Sequence, residues 1–200
     1  MKAIEAQLLK AGITPVAGVD EAGRGPCAGP LVISAVILKD PTATELAAVR
    51  DSKEVSESRR EELFDVITTI AESISTIIVT PADIDKRGVH AANLDGMRRA
   101  VHGLTITPAY VLTDGYAIEG LAIPNLAVWK GDQVITAVSA ASIIAKVTRD
   151  RIMRDLDEVY PEYGFAKHKG YITAAHTRAL KEFGPCPEHR TSFANIAALL

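Results

Sequence analysis

Apolar runs along the chain predict a set of β-strands. Val16–Val19 and Leu31–Leu38 are almost entirely apolar, which is typical of strands buried on both faces. Ser73–Thr80 is rich in Ile, Val and Thr and predicts a third strand. Tyr110–Thr113 predicts a fourth, and Leu121–Trp129, which contains a proline, predicts a weak strand at the sheet edge. The pattern therefore indicates a sheet of five strands.

Apolar residues recur at helical spacing between and after these strands. Ser58 with Glu61 fits a capping box, so we predict a helix that starts there and packs one face on the sheet. Thr80–Pro81 predicts the start of a short helix, because proline suits the first helical position. The other predicted helices are Lys2–Lys10, Thr44–Ala48, one carrying Leu94, Met97, Val101 and Leu104, a long one from Gln133 to about Tyr160, Ala174–Phe183, and a short one after Arg190.

The order of these elements predicts the fold class. Two strands adjacent in sequence come first, strands then alternate with helices, and helices alone follow the last strand. This order favours an α/β fold in which helices flank a mixed sheet and a helical part follows at the C-terminus. A length of 200 residues without an evident linker predicts a single domain.

Composition restricts the class of protein only broadly. The chain is 48% hydrophobic and 24% charged, with a formal net charge of −3, which argues against indiscriminate coating of DNA but leaves room for a local basic groove. The start of the chain lacks the apolar core of a signal peptide, and no apolar run approaches the ~20 residues of a membrane span. We therefore predict a cytoplasmic protein in which Cys27 and Cys186 are reduced.

Carboxylates stand near the ends of three predicted strands. Asp20 and Glu21 follow the first, Asp114 follows the fourth, and Asp132 follows the edge strand. Such ends converge on one edge of a sheet with helical crossovers, and four carboxylates fit two Mg²⁺ or Mn²⁺ ions about 3.5–4 Å apart. Two alternatives remain open: Asp114–Gly115 forms only a turn, and Asp132 only caps the long helix.

A glycine-containing loop follows the adjacent acids. Gly23 and Gly25 allow backbone N–H groups to approach a phosphate, and Arg24 between them can pair with one. A salt bridge from Arg24 to a nearby carboxylate is an equally acceptable interpretation. The glycine spacing does not match a dinucleotide-binding fingerprint.

Polar residues of the predicted long helix share one side: Asp132, Ser139, Ser142, Lys146 and Arg149. Hydroxyl and basic groups contact phosphates and position a duplex without reading its sequence. A solvated helix face is the alternative interpretation.

A basic loop, Lys167–Tyr171, combines two lysines and a histidine with an aromatic residue. Tyr171 can stack on a sugar or base, although an ordinary surface loop with a tyrosine folded onto the core explains the same pattern. His176 shares a helix face with apolar residues, so we interpret it as a packed structural histidine rather than a ligand.

Taken together, these motifs resemble ribonuclease HII of the bacterial type, from about Val16 to Phe193. The segments that carry the resemblance are Gly18–Pro26, Asp51–Lys53, Asp114–Gly115, Lys130–Asp132, Ala141–Asp150, His168–Tyr171 and His189–Phe193. The resemblance implies an RNase H-like core over about 16–150 and a helical C-terminal extension over about 151–200, within one catalytic domain spanning 1–200.

The resemblance also implies an activity and its residues. It implies a divalent-metal endonuclease that cuts RNA in RNA–DNA hybrids and 5′ of single ribonucleotides in duplex DNA, leaving 3′-hydroxyl and 5′-phosphate ends. The catalytic and metal-binding acids would be Asp20, Glu21, Asp114 and Asp132. The substrate contacts would be Gly23, Arg24, Gly25 and Tyr171, with Lys53, Ser139, Lys146 and His168 as further candidates.

Two other classes of function remain open from the sequence. A DNA nuclease or recombinase of RNase H-like fold would use the same acids but leaves the Gly23–Gly25 loop and Tyr171 unexplained. A non-catalytic binder of RNA–DNA hybrids would not need the acids, which weaken binding to phosphates when nothing neutralises them. We see no clamp-binding motif at either terminus and predict a monomer that acts without a membrane.

Overall fold

The computed structural model describes residues 3–46 and 56–200. Within these ranges the strands are β1 (Val16–Ala22), β2 (Leu31–Leu38), β3 (Ala71–Val79), β4 (Tyr110–Asp114) and β5 (Asn125–Val128). They form one sheet in the order β3-β2-β1-β4-β5. β2 is antiparallel to β1 and β3, whereas β1, β4 and β5 run parallel to one another. The predicted mixed five-stranded sheet is confirmed, with β5 at its edge.

The helices of the described ranges are α1 (Ala3–Lys10), α2 (Glu57–Ile70), α3 (Pro81–Arg87), α4 (Val89–His102), α5 (Gly131–Val134), α6 (Thr136–Val159), α7 (Phe165–His168), α8 (Ala174–Phe183) and α9 (Ala194–Ala197). None of these helices is long and apolar enough to span a membrane. The predicted helix at 44–48 is described only for residues 44–46, which form a 3₁₀ turn. Asp51–Lys53 lies outside the described residues, so its place near the site stays a prediction.

Helices cover both faces of the sheet because alternate residues of its strands point to opposite sides. β2 is buried along its whole length. One of its faces, including Ile33, packs with Met97 of α4, and the other, including Val36, packs with α2 and α6. A Cβ atom on Gly18 of β1 would lie 2.1 Å from the backbone of Ala137, so only glycine lets α6 lie so close to β1. The long helix thus lies directly against the strand that carries Asp20 and Glu21.

The structure corrects two predicted boundaries near the acids. β1 continues to Ala22, so Asp20 and Glu21 belong to the strand instead of following it. The predicted single long helix is divided at Ile135, whose backbone is extended. The carboxylate of Glu5 in α1 accepts the amide hydrogens of Thr136 and Ala137, at 2.7 and 2.9 Å, and so caps α6 from a distant part of the chain.

Other boundaries differ less. Ser56, not Ser58, caps α2, because its hydroxyl accepts the Arg59 amide hydrogen at 3.3 Å. Asp132 lies inside α5 and is not at the start of α6, so the interpretation that it only caps the long helix is wrong.

The predicted division between core and C-terminal extension, at about residue 150, falls inside α6. Buried apolar contacts join Met153 of α6 to α7 and α8.

Candidate active site

The four predicted acids line two adjoining cavities at one edge of the sheet. The first cavity, of about 360 Å³, is bordered by Asp20, Glu21 and Asp114, by the loop after β1 and by α6. The second, of about 450 Å³, is bordered by Glu21, Asp114 and Asp132. Because Glu21 and Asp114 border both cavities, the two form one cleft. The structure therefore brings all four acids to a single cleft, as the convergence of strand ends predicts.

Backbone hydrogen bonds hold these carboxylates in place. The Glu21 amide hydrogen is donated to Asp20 Oδ1 at 2.8 Å. The Gly131 amide hydrogen is donated to Asp114 Oδ1, also at 2.8 Å, and ties the segment that carries Asp132 to the end of β4. Lys130, just before this segment, has a φ of 56°, a left-handed conformation that is uncommon outside glycine. The turn at Lys130 and the bond to Asp114 together place Asp132 in the cleft.

The acids are costly to keep charged in this position. Asp20 is only 5% exposed and Asp132 only 1%. Burial, followed by the charges of Glu21 and Asp114, raises the pKa of Asp20 well above its usual value, although Ser142 acts in the opposite direction. Burial also raises the pKa of Glu21, against the lowering effects of Arg24 and Asn93. A bound cation would offset this repulsion.

The donor atoms fit hard divalent cations. Carboxylate oxygens are the ligands that Mg²⁺ and Mn²⁺ prefer, and Glu21 Oε2 is buried without a hydrogen-bond partner among the described residues. In residues 3–46 and 56–200, no three His, Cys, Asp or Glu side chains are gathered closely enough to hold a metal ion as they stand. The chemistry of the cleft therefore suits such ions, and binding would require the carboxylates to reorient.

A buried arginine sets the conformation of the Gly23–Gly25 loop. The Arg190 guanidinium donates to the carbonyls of Gly23, Arg24 and Gly29 at 2.6, 3.2 and 2.8 Å. In a trans peptide the N–H points opposite to the C=O, so the amides of Arg24 and Gly25 point away from Arg190. The sequence pattern did not identify Arg190 as a site residue, and the only signal was its place in the His189–Phe193 segment.

Arg149 joins this loop to the segment before Tyr171. It donates to the carbonyls of Pro30, Ala28 and Lys169 at 2.9, 3.0 and 3.0 Å. A Cβ atom on Gly23, whose φ is 94°, would lie 2.0 Å from Arg149 Nε, so no larger residue fits there. Burial lowers the pKa of Arg149 to about 10, which leaves it charged at neutral pH. The predicted basic stripe thus contains one residue that is part of the framework of the site.

Arg24 has partners within the protein. Its Nη1 lies 3.9 Å from Glu21 Oε1, and its guanidinium carbon lies 4.3 Å from the centre of the Tyr116 ring. The salt bridge considered from the sequence is therefore present. Arg24 also borders both cavities, so pairing with a phosphate stays a prediction.

Tyr171 forms the wall opposite the glycine loop. Its side chain is 52% exposed, and it borders the first cavity together with Asp20, Glu21 and Asp114. A Cβ atom on Gly25 would lie 3.6 Å from Tyr171 Cε1, so the loop and the ring face each other across a narrow gap. The interpretation of a tyrosine folded onto the core is wrong, because half of this side chain is accessible.

The remaining candidates are placed differently. Lys146 borders the first cavity and pairs with Asp150 at 2.5 Å. Ser139, by contrast, is fully buried and donates its hydroxyl to the carbonyls of Ile135, at 2.8 Å, and Asp132. Contrary to the sequence prediction, it does not face the cleft. His168 bonds the Tyr163 carbonyl and the Gly170 amide, so both of its ring nitrogens are used inside the protein.

An exposed tryptophan borders the second cavity. Trp129 follows β5, is 81% exposed and lies beside Lys130 and Asp132 at the cavity edge. In the sequence, Trp129 is distinguished only as the last residue of the predicted edge strand. An apolar side chain of this size in solvent next to the acids is available for stacking on a base or sugar.

Comparisons with known proteins agree with this geometry. A model of the family described as Ribonuclease HII matches residues 17–196. The chain is 53% identical to ribonuclease HII of Rhodococcus opacus over 200 residues, covering 100% of this chain and 88% of that protein. It is 52% identical to ribonuclease HII of Mycobacterium avium over 196 residues, covering 98% and 85%.

Solved structures show the same likeness. The ribonuclease H2 of Pyrococcus horikoshii superposes with a TM-score of 0.80 at 32% identity, covering 92% of this chain and 96% of that one. The ribonuclease HII of Archaeoglobus fulgidus, solved in complex with PCNA, gives a TM-score of 0.78 at 28% identity, covering 88% and 93%. Bst-RNase HIII, solved in complex with Mn²⁺, shares the fold with a TM-score of 0.67 at 19% identity, covering 98% and 71%.

Proposed function

The chain belongs to the ribonuclease HII family of ribonuclease H-type hydrolases, and we propose that it cuts RNA in RNA–DNA hybrids and 5′ of single ribonucleotides in duplex DNA. The products would carry 3′-hydroxyl and 5′-phosphate ends. One observation carries the proposal: four acids, the Gly23–Gly25 loop and an accessible tyrosine border one cleft. Acids suit hydrolysis of a phosphodiester, and the loop and ring suit recognition of the sugar beside it.

Asp20, Glu21, Asp114 and Asp132 are the residues that would hold two divalent cations. When bound, Mg²⁺ or Mn²⁺ would supply charge neutralisation at the phosphate and an activated water. The Gly131 amide keeps the Asp114 carboxylate oriented toward the cleft. The Ser142 hydroxyl contacts Asp20 and favours its charged form, the form that binds cations.

The opposite wall would select the ribonucleotide. A 2′-hydroxyl both donates and accepts a hydrogen bond, and it is the group that distinguishes RNA from DNA at one position. The amides of Arg24 and Gly25, turned outward by Arg190, are donors for this hydroxyl or for the adjoining phosphate. Tyr171 lies beside Gly25, so a sugar that binds the loop amides would also contact the Tyr171 ring.

The two rival classes of function predict other outcomes. A DNA nuclease or recombinase needs no device for a 2′-hydroxyl, yet the Gly23–Gly25 loop and Tyr171 face each other beside the acids. A non-catalytic hybrid binder gains nothing from placing Asp20 where burial and the charges of Glu21 and Asp114 raise its pKa. Both rivals are therefore less consistent with the cleft than the proposed nuclease.

The proposal is tested with two labelled duplexes of one sequence, an RNA–DNA hybrid and an all-DNA duplex. Each is incubated with the protein and Mg²⁺, Mn²⁺ or a chelator. We expect cleavage of the RNA strand only, and only with metal. Cleavage of both duplexes would favour the DNA nuclease, whereas binding without products under every condition would favour the hybrid binder.

Replacing Tyr171 by Ala is expected to affect single ribonucleotides most. We predict that kcat/KM falls about 10- to 100-fold on duplex DNA with one ribonucleotide, because base–aromatic or sugar–aromatic contact contributes about 1–3 kcal/mol. On a long hybrid the loss should be smaller, because every nucleotide of the RNA strand carries a 2′-hydroxyl and the protein can therefore bind productively at many positions. Ile172→Ala, at an exposed neighbouring position, serves as the control. Equal losses on both substrates would remove the proposed role of Tyr171.

Replacing Trp129 by Ala is expected to weaken binding of nucleic acid about tenfold, through loss of one stacking contact. The measurement is fluorescence anisotropy with a labelled hybrid, made in an Asp20→Asn background so that no cleavage occurs. Phe183→Ala removes an aromatic ring that is 54% exposed on α8 and borders neither cavity, so it should leave binding unchanged. Equal affinity of Trp129→Ala and its parent would show that Trp129 does not contact the substrate.

Partners and location extend this proposal. The ribonuclease HII of Archaeoglobus fulgidus was solved in complex with PCNA. For this chain we keep the sequence predictions of a monomer without a clamp-binding motif, acting in the cytoplasm on ribonucleotide-containing duplexes in replication and repair.

A further inference from the structure

Three histidines surround the segment that carries Tyr171, away from the acids. His176 and His189 are almost completely buried, and their Nε2 atoms lie 2.9 Å apart. The ring of His168 stacks on that of His176 with centroids 4.3 Å apart. The proposed activity does not use these rings directly, and the sequence indicated only that His176 is packed.

The hydrogen bonds around His189 determine which of its nitrogens carries the proton. The backbone N–H of Cys186 is donated to His189 Nδ1 at 2.9 Å, and the Cys186 thiol lies 3.2 Å from the same atom. A nitrogen that accepts a hydrogen bond carries no hydrogen, so neutral His189 has its hydrogen on Nε2. That hydrogen is donated to His176 Nε2.

The same reasoning extends to His176. Because its Nε2 accepts, its own hydrogen lies on Nδ1, which is 2.9 Å from the Tyr171 carbonyl and donates to it. Cys27 Sγ lies 4.0 Å from this nitrogen and 3.5 Å from the Gly170 carbonyl, so its thiol hydrogen is donated to Gly170. Hydrogen bonds thus run in one direction, from Cys186 through His189 and His176 to the backbone of Tyr171.

His168 supports the same segment separately. Its Nδ1 accepts the Gly170 amide hydrogen at 3.2 Å, and its Nε2 hydrogen is therefore donated to the Tyr163 carbonyl at 2.7 Å. The His168 carbonyl accepts the Tyr171 amide hydrogen at 2.9 Å. Both backbone polar groups of Tyr171 are consequently held by this histidine cluster, and its ring is left to face Gly25 across the cleft.

Burial keeps the hydrogen-bonded pair neutral. It lowers the pKa of His189 to about 4 and also lowers the pKa of His176. Within residues 3–46 and 56–200, the ionisable groups in contact with the pair are His168, Tyr163, Cys27 and Cys186, and none of these is a carboxylate. A proton added to either ring would place two N–H groups against each other, so the arrangement requires both rings to be neutral.

We propose that His176 and His189 are positioning residues that fix the backbone of Tyr171 so that its ring forms one wall of the ribonucleotide site. The inference rests on the proposed function of Tyr171. It adds that recognition of a single ribonucleotide depends on the direction of hydrogen bonds between two buried histidines behind that wall.

Two substitutions of one residue separate this role from packing. In His176→Asn the side-chain amide nitrogen takes the place of Nδ1 and retains the donor to the Tyr171 carbonyl. In His176→Gln the amide takes the place of Nε2, retains the contact with His189 and loses the bond to Tyr171. We expect His176→Gln to lower kcat/KM on a single-ribonucleotide duplex about tenfold, mainly through KM, and on a long hybrid less than threefold. His176→Asn should retain most of the activity on both substrates.

The Tyr171→Ala background supplies the second measurement. If His176 acts through Tyr171, His176→Gln should cause no further loss there, whereas a general loss of structure would lower activity equally in both backgrounds. Thermal unfolding confirms that each variant is folded under assay conditions. Equal activity of His176→Asn and His176→Gln would overturn the inference, and so would equal losses from His176→Gln in the wild-type and Tyr171→Ala backgrounds. Neither result would affect the proposed function as long as the wild-type protein cleaves the single-ribonucleotide duplex. Wild-type protein that leaves the single-ribonucleotide duplex intact would contradict the proposed function, and the inference with it.

Discussion

Replacing Asp20 by Asn should abolish cleavage and, in the absence of metal, make the fold more stable. The substitution removes one of the ligands proposed for the cations, so we expect kcat to fall by at least about 10²–10³-fold, the range for removal of one essential electrostatic group. It also removes a buried charge that repels Glu21 and Asp114. We expect metal-free Asp20→Asn to unfold at a higher temperature than wild type, and added Mn²⁺ to raise this temperature less than in wild type.

The sign follows from the raised pKa of Asp20. A carboxyl group whose pKa is higher in the folded protein binds more protons there than in the unfolded chain. The stability of the metal-free protein therefore falls as the pH rises from the pKa of Asp20 in the unfolded chain to its higher pKa in the folded protein. Above both values Asp20 is charged in both states, and the loss of stability is complete. Asp155→Asn, at an exposed position of α6, is the matched control and should change neither activity nor stability. A metal-free Asp20→Asn protein that is less stable than wild type would contradict this electrostatic account.

Replacing Arg190 by Met should cause the largest loss of stability outside the apolar core. It leaves the carbonyls of Gly23, Arg24 and Gly29 without their donor, at about 1–3 kcal/mol for each buried group left unpaired. For a chain of this size, a total loss of about 3 kcal/mol lowers the unfolding temperature by roughly 6–12 °C. We also expect cleavage to fall at least tenfold, because the loop that carries the amides of Arg24 and Gly25 loses the donor that holds its backbone.

Two further variants show whether charge or geometry is responsible. Arg190→Lys retains the positive charge but lacks the planar group that reaches several carbonyls at once, so we expect it to resemble Arg190→Met. Arg154→Met removes an arginine that pairs with Glu57 and Glu61 on the surface, at an expected cost of about 0–1 kcal/mol. Activity of Arg190→Lys near that of wild type would show that the charge of Arg190 matters more than its hydrogen bonds.

Much of the site is predictable from the sequence because its residues lie at the ends of strands. Continuous apolar runs locate β1, β2 and β4, and the acids next to them converge because parallel strands end at the same edge. Two adjacent acids beside a buried strand, Asp20 and Glu21, have no simple structural explanation. The pair therefore indicates a bound cation even before Asp114 and Asp132 are considered. The glycine loop and Tyr171 were identified by type and by resemblance, and the structure places them on facing walls.

The framework behind the site was not predictable, because it depends on contacts between distant segments. Arg149 shares a helix side with Lys146 and gives the same local signal, yet the Arg149 guanidinium is buried among backbone carbonyls, whereas the Lys146 side chain is partly exposed and pairs with Asp150. Glu5 caps the start of α6 from a position 131 residues earlier in the chain, which no local periodicity reveals. Ser139 was misplaced for a related reason: its hydroxyl donates to the carbonyls of Asp132 and Ile135 where α5 meets α6, a contact that the predicted continuous helix does not contain.

The central claim, that this cleft recognises one 2′-hydroxyl, is tested most directly with three end-labelled DNA duplexes of identical sequence. They differ at a single nucleotide, which carries a 2′-hydroxyl, a 2′-hydrogen or a 2′-O-methyl group. With metal present, we predict one cut on the 5′ side of the nucleotide bearing the 2′-hydroxyl and no cut in the other two duplexes. Cleavage of all three duplexes, or of none under any metal, would contradict the account.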